Sequence, residues 1–515
     1  MLERILAMAA LSISCVLGAL PLIHMLQLES YQLPGYFRWI KRSAVQAWMG
    51  ALPAVAYLFF TAFSLRIAAV ITLVLAALLF IVQRQKYPSK KPLSYTKRVW
   101  RLVLAYSALT LITVVGLGLI PPIGLPMAAP LLALPLWVGL MALLMQPIEA
   151  QVNMWYFKDA QRILRAQPGL IRIGITGSYG KTSVKHILGT LLNEKYNVLI
   201  TPGSFNTPMG VTRVIREQLR PEHQVFIAEM GARHKGDIDE LCRLVTPSIG
   251  LITSIGPQHL ETFGSIETVA NTKFELMRAL PEDGAAFFSQ DGGWGEILHA
   301  QTSLKNKWLC GLTPPARVYA KNLNSDPDGC AFTLITPEGE IQCQSVLLGR
   351  HNIRNIVISA ACALQMGLTL AQIKSGISKL QSIEHRLQLI RGAGTLVIDD
   401  AFNSNPAGAE AALEVLKSFP GRHLVVTPGM VELGHEEQAL NQAFGKQMAA
   451  ACDIAILVGE RRTRPIYQGL LEGEMPRENI HVVASLAEAT TLLATLGRPG
   501  DVTLFENDLP DNYNE

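Results

Sequence analysis

Six consecutive residues, Gly177-Ser178-Tyr179-Gly180-Lys181-Thr182, combine the parts of a phosphate cradle. Glycines let backbone N–H groups close on an anion, and Lys181 adds a positive charge. Thr182 or the adjacent Ser183 offers a hydroxyl to Mg²⁺. The pattern, T-G-x-x-G-K-T, is a variant, because the strict phosphate-loop spacing asks for glycine at position 175, where Ile175 stands. A Gly-rich strand–helix turn with a surface lysine is the plain alternative. The flanks favour the cradle. A β-branched run (Ile171, Ile173, Ile175) leads in, and apolar residues at helical spacing (Val184, Ile187, Leu188, Leu191) lead out, so a helix N-terminus faces the same anion. A nucleotide is expected here.

Three more residues could join it. Glu229 closes a buried-strand pattern, V-F-I-A-E-M-G-A-R. Ligands of doubly wound sheets lie at strand carboxyl ends, so this carboxylate could hold Mg²⁺ beside the phosphates, unless it is an ordinary surface glutamate. His259 follows another strand-like run, Leu251–Ser254, and reads as a metal ligand or a structural histidine. Lys273 lies in the helical stretch N-T-K-F-E-L-M-R-A-L, where a solvated lysine is the ordinary reading. No Ser/His/Asp or Cys/His arrangement is evident. The seven cysteines include no C-x-x-C pair, which disfavours a zinc site or disulfide framework and suits a reducing compartment.

The elements that must position these residues follow from composition. The 515 residues allow about three domains. The chain is 49% apolar with mean hydropathy +0.26, high for a wholly soluble protein. The excess sits in residues 1–150, where five runs (Ile5–Leu28, Trp48–Ser64, Ile67–Val82, Val99–Ile120 and Gly124–Met145) approach the length that crosses a hydrocarbon core of ~30 Å. Only Leu65-Arg66 separates the second run from the third, so a tight hairpin and one long tilted helix both stay open, giving five spans or four. The later runs disfavour a signal peptide at the first. Basic residues gather after the first run (Arg38, Lys41, Arg42) and around the third-to-fourth connection (Arg84, Lys86, Lys90, Lys91, Lys97, Arg98, Arg101), which marks both as cytoplasmic. Five spans then leave everything after Gln146 inside. A net charge of only +4 gives no case for a nucleic-acid surface.

Residues 151–168 read as an amphipathic connector (Trp155–Gln167) closed by Pro168-Gly169. Residues 169–383 alternate strand-like runs (Val225–Ala228, Ile249–Ile252) with helical ones (Ile266–Leu280, Asn355–Met366), which argues for a parallel sheet covered by helices. Residues 384–515 repeat that alternation, with strands at Thr395–Ile398, His423–Thr427, Ile454–Val458 and Val502–Phe505. The expected fold is an α-helical transmembrane domain followed by α/β structure: a central P-loop, parallel-sheet, ATPase-like domain and a C-terminal Rossmann-like α/β domain.

T-G-S-Y-G-K-T-S, A-E-M-G-A-R, S-I-G-P-Q-H-L-E-T-F-G-S and T-K-F-E-L together resemble the central domain of the Mur ligases. G-R-H-N-I-R-N, E-H-R-L-Q and D-D-A-F-N-S-N-P-A-G extend the resemblance, which runs from about 170 to 435, into the C-terminal domain. The last two motifs are most similar to the D-alanyl-D-alanine-adding branch. The resemblance implies that Gly177, Ser178, Gly180, Lys181, Thr182 and Ser183 cradle ATP phosphates and Mg²⁺. It further implies that Glu229 and His259 are metal ligands and that Lys273 is carbamylated to support a second Mg²⁺. Asn352 and Asn355 would contact the nucleotide, Arg386 the phosphates, and Asp400 the ribose or ATP. Asn403 and Asn405 would shape the site where the C-terminal domain closes.

The implied activity is ATP-dependent amide ligation through an acyl phosphate, with Lys181, His259, Lys273 and Arg386 as catalytic residues. The implied partners are an acidic peptide-bearing acceptor, soluble or lipid-linked, an amino acid or dipeptide, the membrane and other wall-synthesis proteins; no nucleic acid is implied. The implied setting is a multi-pass cell-membrane protein with cytoplasmic catalytic domains. Two readings compete: a polyglutamate-like synthase, and a non-catalytic nucleotide-binding subunit of a wall-synthesis complex. The chain departs from the family pattern in carrying apolar runs where a soluble sugar-binding domain is usual. Its segment Gly500–Pro510, G-D-V-T-L-F-E-N-D-L-P, also lacks the K-G-S-R-like pattern of the D-alanyl-D-alanine-adding branch.

Overall fold

The computed structural model describes residues 2–86, 91–119, 125–392, 395–402 and 404–508, and resolves into two compact units, Met1–Met154 and Trp155–Leu509. The first unit is helical: Leu2–Leu28, Leu33–Arg42, Ala44–Thr61 (with a 3₁₀ turn at Met49–Ala51), Leu65–Lys86, Lys97–Gly118, Leu125–Leu132 and the start of Leu134–Arg165. Among the described residues four helices are long and apolar enough to cross a membrane, and a fifth span results if the last two helices, bent by 73°, count as one. Leu65–Lys86 leaves Val70, Val74, Leu78 and Ile81 exposed at helical spacing, an apolar stripe that water would penalise and hydrocarbon would not.

The fifth run departs from the expected single helix. Pro135 has no N–H to continue a preceding helix, yet it fits the opening turn of a new one, so the chain breaks at Ala133 and restarts. The connector 155–167 is likewise no separate helix. It is the last part of Leu134–Arg165, because the one proline inside, Pro147, removes a single backbone bond and no glycine follows before the end.

The second unit contains two sheets. The first is built from β1 (Ile171–Thr176), β2 (Val198–Ile200), β3 (Val225–Glu229), β4 (Ile249–Ile252), β5 (Ala285–Ser289), β6 (Asn306–Gly311), β7 (Val318–Asp326), β8 (Gly329–Thr336) and β9 (Gly339–Ser345). Their order is β2-β3-β1-β4-β5-β6-β7-β8-β9, parallel as far as β7 and antiparallel beyond. Helices Lys181–Leu192 and Arg350–Gln365 bury Val184, Leu188, Ile353 and Val357 against one face with Ile173, Ile175 and Phe287. Ile266–Arg278 and Asp237–Val245 cover the other with Phe274, Leu276 and Leu241. Strands buried on both faces read as continuous apolar runs, as β3 does.

The second sheet holds β10 (Gln388–Arg391), β11 (Leu396–Asp400), β12 (His423–Thr427), β13 (Ile454–Val458), β14 (Ile480–Val483) and β15 (Val502–Glu506), in the order β10-β11-β15-β12-β13-β14. Only β10 runs antiparallel to its neighbour. In the first sheet β1 lies between β3 and β4, so the loops leaving their carboxyl ends diverge around a crevice. In the second, β11, β15 and β12 bring Asp400, Glu506 and Thr427 to one such end.

Candidate active site

The loop after β1 turns at Gly177 (φ 149°) and Gly180 (φ 79°), and Gly180 opens the helix Lys181–Leu192. A Cβ at 180 would lie 2.8 Å from Asn355 Oδ1, so both the left-handed backbone and this close approach require glycine. The loop after β4 pins it: Ser178 N donates to Ser254 O (2.8 Å), Ser178 Oγ to Gly256 O (2.9 Å) and Tyr179 OH to Pro257 O (2.7 Å). Lys181 Nζ bends back over the loop, donating to Gly177 O (2.6 Å) and Ser178 O (3.0 Å). Burial pushes its pKa down to about 8, with Glu229 opposing and Arg386 reinforcing the shift. Ser183 is half-buried in the first helical turn.

Glu229 is no surface glutamate. It is 1% exposed at the end of β3. Its Oε2 accepts from Thr182 Oγ1 (3.1 Å) and Lys185 Nζ (3.0 Å), and its Oε1 from Asn206 Nδ2 (3.1 Å). Burial alone would raise its pKa, but Lys185, Lys181 and the hydrogen bonds outweigh it and hold the carboxylate below its ordinary range. Nor is Lys273 solvated: it is 1% exposed on the helix Ile266–Arg278, its ammonium 6.0 Å from the Phe263 ring centre. Burial drives its pKa well below that of free lysine; Lys181 drives it the same way, while Asp237 and Glu275 offset part. His259, in the loop after β4, meets Glu432 of the loop after β12, with Nδ1 2.6 Å from Oε2. That hydrogen bond is the main reason the Glu432 carboxyl lies below its ordinary range.

From the other side come Arg386 and Asp400. The Arg386 guanidinium stacks on the Phe402 ring at 4.3 Å. Burial lowers its pKa, while the charges of Asp400 and Glu229 counter that, so it lies within electrostatic reach of both domains' carboxylates. Asp400 Oδ1 accepts from Leu387 N (3.2 Å), and burial raises its carboxyl to about 6 despite Arg386. Asn352 and Asn355 are buried beside the phosphate loop and joined by a 3.2 Å bond from Asn355 Nδ2 to Asn352 Oδ1. Asn405 spends its Oδ1 on Gly408 N (2.9 Å), capping the helix Pro406–Lys417. Asn403 lies outside the described residues.

Against known families, residues 175–363 match the Mur ligase middle domain and residues 385–506 the Mur ligase glutamate ligase domain. The UDP-N-acetylmuramoyl-tripeptide–D-alanyl-D-alanine ligase of Mycobacterium tuberculosis (strain ATCC 25618 / H37Rv) is 32% identical over 363 residues, which are 66% of this chain and 70% of that protein. The chain belongs to the Mur ligase family. The enzyme of the same name from Escherichia coli (strain K12) is 35% identical over 56% of this chain, and the match spans 64% of its own length, a little under two thirds. Among solved structures, a MurF crystal structure from Acinetobacter baumannii superposes with a TM-score of 0.64 at 27% identity, covering 70% of this chain and 78% of that one.

The donors of this Mur ligase suit Mg²⁺ rather than a metal needing a full protein cage. Among the described residues no group of three or more His, Cys, Asp or Glu side chains could hold an ion. Mg²⁺ typically takes one or two carboxylates and fills its shell with water and substrate phosphate, which the Glu229–Thr182 pair at the phosphate loop accommodates. Sequence reasoning missed Lys185, Asn206, Glu432 and Glu506. Lys185 lies one turn after Lys181, and Glu432 and Glu506 lie at or beyond strand carboxyl ends, so spacing and the strand-end rule could have flagged those three. Nothing in the residue types marks Asn206.

Proposed function

We propose that the chain is a membrane-anchored ATP-dependent amide ligase that activates a carboxylate as an acyl phosphate. It acts in peptidoglycan precursor synthesis, adding D-alanyl-D-alanine or a related unit. The observation that carries this reading is the convergence, at one crevice, of the Lys181 loop, buried Glu229 and buried Lys273 from the first sheet with Arg386 and Asp400 from the second domain. A carboxylate approaching a γ-phosphate opposes two anions, so the site needs fixed positive charge rather than a nucleophile. Lys181 and Arg386 supply it from the chain. One or two Mg²⁺ ions held by Thr182, Glu229 and His259 would supply the rest as a Lewis acid. Gly177, Ser178, Gly180 and Ser183 line the phosphate side, Asn352 and Asn355 the nucleotide side.

Lys273 takes part as a carbamate. Its depressed pKa favours the neutral amine, whose nitrogen attacks CO₂; an N–C bond forms as one C=O π pair moves onto oxygen, a proton leaves the nitrogen, and the neutral buried amine becomes an anion that complements Lys181. The attack of the incoming amine on the acyl phosphate is then a positioning problem, met by closing Asp400 and Arg386 over the first domain. Among the described residues, four long apolar helices with the bent pair as a fifth span, and basic loops on the cytoplasmic side, favour a multi-pass protein with these domains cytoplasmic.

The test is phosphate release by the full-length protein with ATP, a UDP-linked or lipid-linked muramyl tripeptide, and D-alanyl-D-alanine. Release dependent on both acceptor and amine is expected. A Lys181→Ala variant should lose ~10²–10³ in rate with its fold intact. ATP turnover with poly-glutamate acceptors alone would favour the polymer-synthase reading. Nucleotide binding without turnover would favour the non-catalytic one.

A further inference from the structure

Glu432 lies outside the residues that the ligase reading assigns, yet it makes the one described hydrogen bond of the His259 ring. We propose that Glu432 is a positioning residue that sets the orientation and tautomer of His259, so that this ligand is ready for a divalent cation only when the C-terminal domain is docked. The proposal rests on the reading of His259 as a metal ligand.

Three observations carry it. First, an ionised carboxylate can only accept, so the 2.6 Å contact calls for a proton on His259 Nδ1; in the neutral ring that tautomer carries its lone pair on Nε2, the nitrogen able to take a cation. Metal-ligating histidines commonly give their other ring N–H to a carboxylate in this way. Second, both residues adopt left-handed backbone, φ 52° at His259 and 64° at Glu432, a conformation disfavoured for residues with side chains and held here by the surrounding loops. The His259 carbonyl accepts from Thr262 N and Phe263 N, and Thr262 Oγ1 donates to Arg233 O, so the loops after β3 and β4 are tied together under the carboxylate. Third, Glu432 also faces Arg233 at 3.5 Å, so a single C-terminal-domain side chain spans both central-domain loops. Among the described residues, the carboxylate that meets the His259 ring comes from the other domain.

The experiment titrates Mn²⁺ into the full-length protein in detergent with ADP present, reading free Mn²⁺ by electron paramagnetic resonance. Glu432→Ala is expected to weaken binding about 10–100-fold, the usual effect of losing such a partner. Glu432→Gln, whose amide oxygen can still accept from Nδ1, should recover part of the loss and guards against misfolding as the cause. Arg233→Ala, which breaks the other contact but spares the imidazole, should bind as the wild type does. If His259→Ala weakens binding and Glu432→Ala does not, the proposal fails while the metal-ligand reading stands. Equal losses in Arg233→Ala and Glu432→Ala would reduce Glu432 to a charge tether and overturn the proposal. An unchanged affinity in His259→Ala would overturn the ligand reading and the proposal with it.

Discussion

A lysine with 1% exposure, close enough to a second lysine to disfavour its charged form, is costly to keep ionised at the site. The proposed carbamylation would remove that cost. Lys273→Ala should therefore retain ADP binding but fall at least ~10²-fold in ligation, by analogy with the loss of one electrostatic contact. Partial rescue by a short-chain carboxylic acid is the distinguishing readout; full activity without rescue would make the lysine a packing residue. Glu506 gives a pH prediction. Burial raises its carboxyl from 4.5 to about 8, and the Asp400 charge acts the same way. The folded state thus keeps a proton that the unfolded chain releases, so this group's contribution to stability is whole below about 4.5 and is lost as pH climbs through about 8. Ser404 and Thr427 donate hydrogen bonds to it, and neither removes the penalty on the ionised form. Glu506→Gln, neutral throughout, should gain in Tm over wild type between pH 5 and 8, by several degrees at the upper end. A difference independent of pH would mean that Glu506 does not titrate in this range.

At the scale of elements, the helix Lys181–Leu192 does more than pack. Its N-terminus is presented by a glycine that no other residue can replace without two penalties. Gly180→Ala would force alanine into left-handed backbone, at a cost of about 1–2 kcal/mol, and would push on Asn355 Oδ1, 2.8 Å from the added carbon. The helix body, held by Val184, Leu188 and Leu191 in the core, should survive. Calorimetry is expected to show ADP affinity reduced about tenfold, the equivalent of that strain, with Tm changed by only a few degrees. Unchanged affinity would mean that the loop rearranges freely and is not the preformed cradle described here.

At the scale of the molecule, one apolar helix anchors a protein effectively irreversibly, yet among the described residues four, or five with the bent pair as one, are long and apolar enough to span. The surplus motivates the expectation that the helical unit helps hold a lipid-linked acceptor. Full-length protein should then use a lipid-linked muramyl peptide with a lower KM than its UDP-linked counterpart, and a truncated chain beginning at Trp155 should lose that preference. If the truncated chain uses the soluble acceptor as fast as the full-length protein uses either, the helices serve only to localise the enzyme.

Local pattern sufficed for some of this. The strand, glycine turn and helix start around Lys181 were legible because the glycines, lysine and hydroxyls are consecutive and the flanks change period from two to nearly four, all properties of neighbours in the chain. The apolar helices were legible from length and composition, although the break at Ala133 was not, since it depends on where a proline falls within a helix already expected. Glu229, His259 and Lys273 could be singled out by motif, but their burial could not, and burial is what separates a solvated lysine from a reactive one. The partners of Glu229 were beyond local reading as well. Lys185 and Asn206 reach it across separations of 44 and 23 residues, through a parallel sheet whose strand order differs from chain order. Glu432 stands furthest from legibility. It is 173 residues from His259 and in another domain, and only the docking of the two α/β layers brings its carboxylate onto the imidazole. Short-range preferences select elements, whereas the burial and pairing that tune a charge depend on contacts that exist only after the chain has closed.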